Sequence, residues 1–314
     1  MKDLLSISDW TASRIHAVLA LGLDLKRDPA KYRDALRDRT LVMLFEKPSL
    51  RTRVSFEAGT TQMGGHAIYY DLGTSPLGKG KESAEDTARV LSRYADVIMA
   101  RLFEHKTIVA LARHATVPVI NGLTNDEHPT QILADLMTIL ETKGRLAGLT
   151  LAYVGDGLNN VTHSLMLTAA KVGMNVRVGC PDDPAYRPDP AVVRRTALLA
   201  GKTGSAVEIT AGPAAAVKGA DVVYTDSWMS YHIPEEQMAG RKARFAPFQV
   251  NAALMKRARK GAIFMHCLPA VRGCEVTDEV IDGPQSVVFD EAENRLHIHK
   301  AIMLHLLREQ ARRV

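Results

Sequence analysis

The chain has 314 residues, of which 46% are hydrophobic, 24% charged and only 5% aromatic, with a formal net charge of +5. This is soluble-globular composition, enough for two domains of about 150 residues each with largely aliphatic cores. No apolar run approaches the roughly 20 residues of a membrane span, and Cys180, Cys267 and Cys274 are too few for a disulfide framework.

The basic residues fall in short clusters (Arg51 and Arg53, Arg194 and Arg195, Lys256 to Lys260) without interleaved stacking aromatics, so nucleic acid is not expected as a partner. Small anionic substrates account for the positive balance. Met1 to Leu5 leads into polar residues without a leader-like apolar stretch, and a cytoplasmic location is expected.

From the amino terminus, Ile15, Val18, Leu19 and Leu23 recur at helical spacing, with Ser8 the expected cap. Leu41 to Phe45 has strand length, a helix follows from about Leu50 to Met63, and Gly64-Gly65 stops it. Ala67 to Tyr70 is the next strand, and Ser83-Ala84-Glu85-Asp86 opens another helix as a capping box. A strand at Val97 to Ala100, a helix around Ile108 to His114 and a strand at Val117 to Ile120 continue the alternation. A long helix runs from His128 towards Lys143.

After Gly144 the pattern restarts, with strands at Leu149 to Val154, Val176 to Cys180, Ala206 to Ile209, Asp221 to Thr225 and Ala262 to Cys267. A helix is expected at Asn160 to Val172 and a last one from about Glu293 to Arg312. Repeated strand–helix units predict an α/β fold: two doubly wound parallel-sheet domains with helices on both faces. In such sheets ligands bind beyond the carboxyl ends of the strands, so the residues that follow each strand carry the functional information.

Glu46 to Arg53 follows the first strand. Ser49 can cap the helix there, and its free N–H groups, with Ser49, Arg51, Thr52 and Arg53, make a phosphate-binding set; a capped helix with solvated arginines is the plainer alternative. Arg101 follows the strand that ends near Ala100, placed to reach into the crevice, though exposed arginines at strand ends are common. His128-Pro129-Thr130-Gln131 starts the long helix, Pro129 suiting its first position, and pairs an imidazole with a carboxamide near a positive helix end.

Gly155-Asp156-Gly157-Leu158-Asn159-Asn160 mimics a dinucleotide turn. Asn160 stands where the third glycine belongs, and Pro181 follows the next strand in place of an acid, so the dinucleotide reading is weak. Asp226 and Ser230, after a strand, offer a carboxylate and a hydroxyl for an ammonium group, or form an ordinary surface loop around Trp228. His266-Cys267-Leu268-Pro269 lacks a second ligand pair at zinc spacing, and no metal is expected.

In this order the segments resemble the aspartate/ornithine carbamoyltransferase family, and most closely its ornithine-type members, over nearly the whole chain. Phe45 to Phe56 is similar to the family's phosphate loop, His128 to Gln131 to its carbamoyl-contacting motif and Asp226 to Ser230 to its amino-acid loop. His266 to Pro269 marks the ornithine-type branch, and Phe289 to Arg295 is also typical. The resemblance implies transfer of the carbamoyl group of carbamoyl phosphate to the side-chain amine of L-ornithine, giving citrulline and phosphate, without cofactor or metal. A sister enzyme for putrescine or an N-acylornithine, or a non-catalytic homologue, are the alternatives.

By the same resemblance, Ser49, Leu50 (through its backbone N–H), Arg51 and Thr52 hold the phosphate. Arg101, His128 and Thr52 polarise the carbonyl, while Gln131, the backbone around Cys267 and Leu268, and Arg295 complete the carbamoyl pocket. Asn160, Asp226, Ser230 and the neighbouring Tyr231 face ornithine, and Cys267 lies near its amine as a contact. Three positions depart from the family pattern: Leu50 replaces a threonine, Tyr231-His232 replaces Met-Gly, and Lys81 stands in a segment that often supplies a glutamine to a neighbouring subunit. The expected domains are residues 1–140 with the C-terminal helix (about 295–314) packed back on them for carbamoyl phosphate, and 141–294 for ornithine. The expected assembly is a homotrimer or a multiple of trimers.

Overall fold

The structure, a computed structural model, describes residues 2–229 and 233–312. The chain forms two compact units: residues 1–137 with 293–314, and residues 138–292.

Unit 1 runs α1 (Ala12–Arg27), β1 (Thr40–Phe45), α2 (Leu50–Gln62), β2 (His66–Asp71), α3 (Ala84–Tyr94), β3 (Val97–Arg101), α4 (His105–His114), β4 (Val119–Leu123) and the first part of α5 (Pro129–Lys143). Its four strands are parallel in the order β2-β1-β3-β4. The chain winds outward from β1 to β2 and then returns to β3 on the other side of β1. The carboxyl ends of β1 and β3 therefore flank the switch point where such sheets bind ligands.

Val42, Leu44, Ile98 and Ala100 project from the sheet onto Ala88, Ile108 and Leu111 of α3 and α4, forming one face of the core. The strands β1 and β3 are nearly continuous apolar runs because they lie inside a covered parallel sheet. By contrast, β2 is an edge strand with an alternating, largely exposed pattern. Leu4 extends the other edge by pairing with Val119 and Asn121 through its backbone.

Unit 2 contains the end of α5, then β5 (Thr150–Val154), α6 (Asn160–Lys171), β6 (Asn175–Gly179), α7 (Pro190–Thr203), β7 (Val207–Thr210), α8 (Pro213–Val217) and β8 (Val222–Tyr224). It continues with α9 (Met238–Phe245), α10 (Ala252–Met255), β9 (Ile263–Met265) and α11 (Asp278–Ile281). The last helix, α12 (Val288–Ala311), belongs to unit 1 from Glu293 onward. The five parallel strands are ordered β7-β6-β5-β8-β9, which puts the second switch point between β5 and β8. Val154, Val223 and Phe264 pack with Trp228, Phe245 and Val280 on one face. On α6, every residue from Val161 to Lys171 is buried.

The parallel α/β architecture follows the sequence expectation, and the carboxyl end of α12 packs with unit 1. Several boundaries differ: β4 is shifted to Val119–Leu123, β9 ends at Met265 short of Cys267, and two helix starts move. Thr11, not Ser8, caps α1, its Oγ1 accepting from Arg14 N at 3.2 Å, while Ser8 lies in a short 3-10 turn. The last helix begins at Val288 because buried Val288 and the two acids of its first turn suit a helix start before Glu293. No helix among the described residues is long and apolar enough to cross a membrane.

Candidate active site

In unit 1 the site is built at the switch point. Pro48 ends the turn after β1, and Ser49 caps α2 through Oγ, which accepts from Thr52 N at 3.2 Å. Leu50 opens the helix with its side chain 73% exposed, so the departure at this position leaves the inner face of the turn unchanged. Thr52 is buried on that inner face. Arg53 is turned away, held by Glu57 at 3.0 Å and stacked over the Tyr69 ring at 3.8 Å. Arg51, unlike Arg53, makes no side-chain ion pair or ring contact among the described residues.

At the carboxyl end of β3, Arg101 is 6% exposed. Lys47 is also buried; its Nζ donates to Asn125 Oδ1 at 2.6 Å and lies 4.3 Å over the Phe103 ring. Burial and, next, the Arg101 charge bring the Lys47 ammonium down to about 8.

His128 precedes α5, and its carbonyl accepts from Gln131 N at 3.1 Å. Burial, followed by the charges of Arg295 and Arg101, holds its imidazole well below the ordinary histidine range. At neutral pH the ring is therefore uncharged and can donate or accept but adds no further cation.

Arg295 on α12 joins these pieces. Its Nη2 donates to Thr52 Oγ1 at 3.0 Å and its Nη1 donates to Gln131 Oε1. Gln131 Nε2 in turn donates to Asp135 Oδ1 at 2.8 Å. The α2 turn, the start of α5 and α12 are thus one hydrogen-bonded set carrying Thr52, Gln131, Arg295 and, beside them, His128. Its surplus of cations and N–H donors suits a phosphate and a polarised carbonyl.

In unit 2 the site has the opposite sign. Asp226 follows β8; its Oδ2 accepts from Asn159 Nδ2 at 3.1 Å, and its Oδ1 accepts from Cys267 Sγ at 3.1 Å. Asn159 also caps α6, its Oδ1 accepting from Val161 N at 2.7 Å. Asn160, the residue singled out in the sequence, is the first residue of α6 and half-buried. Ser230, Tyr231 and His232 lie outside the described residues.

Around Cys267, His266 Nδ1 accepts from Leu268 N at 2.8 Å, so its other nitrogen carries the hydrogen directed at Glu275, 3.4 Å away. His266 N donates to Glu291 Oε2 at 2.9 Å, and Leu268 has a left-handed backbone with φ of 57°. Ligand atoms of Asp226, His266 and Cys267 lie within 4.8 Å of one another. Both ring nitrogens of His266 are already engaged, leaving a thiol and a carboxylate, fewer than the three protein ligands of a typical zinc site.

Two family models match the chain: the carbamoyl-P binding domain of aspartate/ornithine carbamoyltransferase over residues 2–141, and its Asp/Orn binding domain over residues 147–306. The chain belongs to the aspartate/ornithine carbamoyltransferase family. An ornithine carbamoyltransferase of Symbiobacterium thermophilum is 54% identical over 304 residues, 96% of each chain. The structure of ornithine carbamoyltransferase from Pyrococcus furiosus superposes with a TM-score of 0.91 at 49% identity, over 96% of this chain and 95% of that one. An acetylornithine transcarbamylase complexed with acetylcitrulline superposes at 0.88 with 32% identity, over 98% and 99% of the two chains. The carbamoyltransferase fold therefore accommodates more than one amine.

Several residues in and around the candidate site escaped the sequence reading. Asp135 and His299 lie four residues beyond Gln131 and Arg295, the spacing that puts side chains on one helix face, and that spacing was the available signal. Lys47 lies within the segment from Glu46 to Arg53, where its only local signal is its place before Pro48. The buried pair of Arg241 and Asp156 had no local signal, because 85 residues separate its members. Arg241 Nε also donates to Trp228 O at 2.7 Å, tying α9 to the loop that follows Asp226.

Proposed function

We propose that the chain transfers the carbamoyl group of carbamoyl phosphate to the side-chain amine of L-ornithine, with the phosphate ester taken by unit 1 and the amino acid by unit 2. The observation that carries this is Arg295, bonded at once to Thr52 of the phosphate turn and Gln131 of the carbamoyl motif. Ser49, Arg51, Thr52 and the Leu50 N–H bind the phosphate. Arg101, His128 and Thr52 stabilise the carbonyl oxygen as it becomes an oxyanion, each donor worth about 3 to 4 kcal/mol. Gln131, Leu268 and Arg295 orient the carbamoyl nitrogen.

On the amine side, Asp226, Asn160, Ser230 and Tyr231 hold the amino-acid head, and Cys267 contacts the chain near the amine. An alkyl amine with a pKa of roughly 10.4 is neutral in about one molecule in 10³ at pH 7, and cationic surroundings favour that form. Its lone pair attacks the carbamoyl carbon, the C–N bond forms, the C–O bond to phosphate breaks, and the departing phosphate takes the amine proton. Positioning the two substrates contributes on the order of 7 to 11 kcal/mol.

We further propose a homotrimer, supported by Leu50 and Val54 (73% and 50% exposed) on α2 and by Ile68 and Tyr70 on the open edge of β2, an apolar surface that an edge strand seldom leaves uncovered. No disulfide joins the three cysteines among the described residues, which fits a reducing cytoplasm.

The test is ureido-product formation from carbamoyl phosphate with ornithine, N-acetylornithine, putrescine, lysine and aspartate. Citrulline from ornithine is the expected result. Preference for another amine moves the assignment to a sister activity, and silence from the folded protein overturns the catalytic proposal.

A further inference from the structure

On α12, one turn beyond Arg295, His299 is fully buried and stacked on Phe56 of α2, with ring centroids 3.8 Å apart and planes 14° from parallel. Its Nδ1 lies 2.8 Å from Ser55 Oγ, and its Nε2 accepts from Arg295 Nε at 3.4 Å. Ser55 has a single hydroxyl hydrogen, directed at the carbonyls of Arg51 and Thr52. Its oxygen must then accept from His299, which puts the ring hydrogen on Nδ1. A neutral ring with hydrogen on Nδ1 has an acceptor lone pair on Nε2, where the Arg295 Nε–H arrives.

Both ends of the chain of bonds thus demand the same tautomer. Burial, followed by the Arg295 charge, keeps this imidazole well below the ordinary histidine range, so the acceptor persists at neutral pH.

We propose that His299 is a positioning residue for carbamoyl phosphate, its Nδ1-protonated imidazole coupling the backbone of the Arg51–Thr52 turn to Arg295 and fixing the rotation of that guanidinium. Arg295 then meets three acceptors on three different elements: His299 by Nε, Gln131 by Nη1 and Thr52 by Nη2. A planar guanidinium held at Nε cannot rotate about its long axis, so Nη1 and Nη2 stay aimed at the carbamoyl motif and the phosphate turn. Asp135 performs the matching task on Gln131 by accepting from Nε2, which fixes which end of the carboxamide faces Arg295.

This inference rests on the assignment of Arg295 to carbamoyl phosphate, and the test separates the two. The wild-type chain is first assayed for citrulline formation from carbamoyl phosphate and ornithine; inactivity would remove the proposed function and this inference with it. With an active wild type, His299→Leu retains apolar packing on Phe56 but offers neither donor nor acceptor. It is expected to raise KM for carbamoyl phosphate about tenfold, the worth of one hydrogen bond to a charged group, with KM for ornithine within twofold. His299→Gln carries both a donor and an acceptor and is expected to stay within about threefold of wild type. Ser55→Ala, which removes the acceptor for Nδ1, falls between them and decides the matter if His299→Leu does not fold. Unchanged KM in His299→Leu and Ser55→Ala, or equal losses in His299→Leu and His299→Gln that track a fall in Tm, would overturn the positioning role in favour of packing alone.

Discussion

The two units are built on the same plan and hold opposite charges at the same place. In each, a parallel sheet reverses its winding direction beside its first strand, and the candidate residues gather beyond the carboxyl ends of the two strands that flank the reversal and of the strand next outward, β4 in unit 1 and β9 in unit 2. In unit 1 these ends carry Lys47, Arg51, Arg101 and the neutral imidazole of His128, with Arg295 brought in from α12. In unit 2 they carry Asp226, Asn159 and the Cys267 thiol. The architecture decides where a ligand can reach backbone N–H groups and convergent side chains, and the residues at those few positions decide its charge.

The buried charges of the two units are managed differently as well. In unit 2, Asp156 beyond β5 is pushed up to about 6 by burial, opposed by Arg241, with which it forms a closed pair. In unit 1, Lys47 donates to a neutral amide oxygen and lies over an aromatic face, and the nearby Arg101 cation outweighs the more weakly felt Glu46 and Glu104 carboxylates. A paired ion stabilises a loop. Cations gathered around the same strand ends favour the arrival of an anion.

This contrast predicts that damage on one side leaves the other substrate's kinetics alone. The largest effect is expected from Asp226→Ala. Loss of the only carboxylate assigned to the amino-acid head should cut kcat/KM for ornithine by about 10² to 10³, in line with about 2 to 5 kcal/mol for truncating a buried charged partner. KM for carbamoyl phosphate should remain within threefold; steady-state kinetics with each substrate varied in turn reads both, and a comparable rise in the two would break the division.

Arg51→Ala should be the mirror case. It is expected to raise KM for carbamoyl phosphate by about 10- to 100-fold, the worth of a charge-assisted hydrogen bond of roughly 1.5 to 3 kcal/mol, while KM for ornithine changes little. Near-normal kinetics in that variant would remove the phosphate assignment of the α2 turn.

The smallest effect concerns pH. Because Lys47 is brought down to about 8, its charge is present at pH 7 and lost as pH rises through 8. An anion-binding site weakens when a cation is lost, so KM for carbamoyl phosphate at saturating ornithine should rise about threefold to tenfold between pH 7 and 9, near the value of one screened charge of roughly 1 kcal/mol. Lys47→Met should start from the higher KM and lose that rise. A basic limb identical in the variant would assign the titration to another group.

Much of this was legible in the sequence, where the information was local. The strand–helix alternation is a periodicity signal, so the fold class follows from it directly. Ser49 and Ser83 announce their helices because capping needs only the next three residues, and both cap as expected, Ser83 Oγ accepting from Asp86 N at 3.0 Å. The motifs after the strands marked Thr52, Arg101, His128, Gln131, Asp226 and Cys267 because a parallel sheet always delivers those positions to the same edge.

What the sequence could not supply were relations between distant residues. Nothing near Thr52 says that Arg295, 243 positions away, completes its hydrogen bonding. Nothing near Asn159 says that its side chain reaches Asp226, 67 positions away. The charge state of His128 and the tautomer of His299 depend on burial and on cations contributed by other elements, quantities that exist only once the chain has folded. The sequence by itself determined which groups stand at the strand ends, because pattern and spacing are local. Only the tertiary structure decided how those groups are paired, oriented and charged, because hydrogen bonds and desolvation act through space.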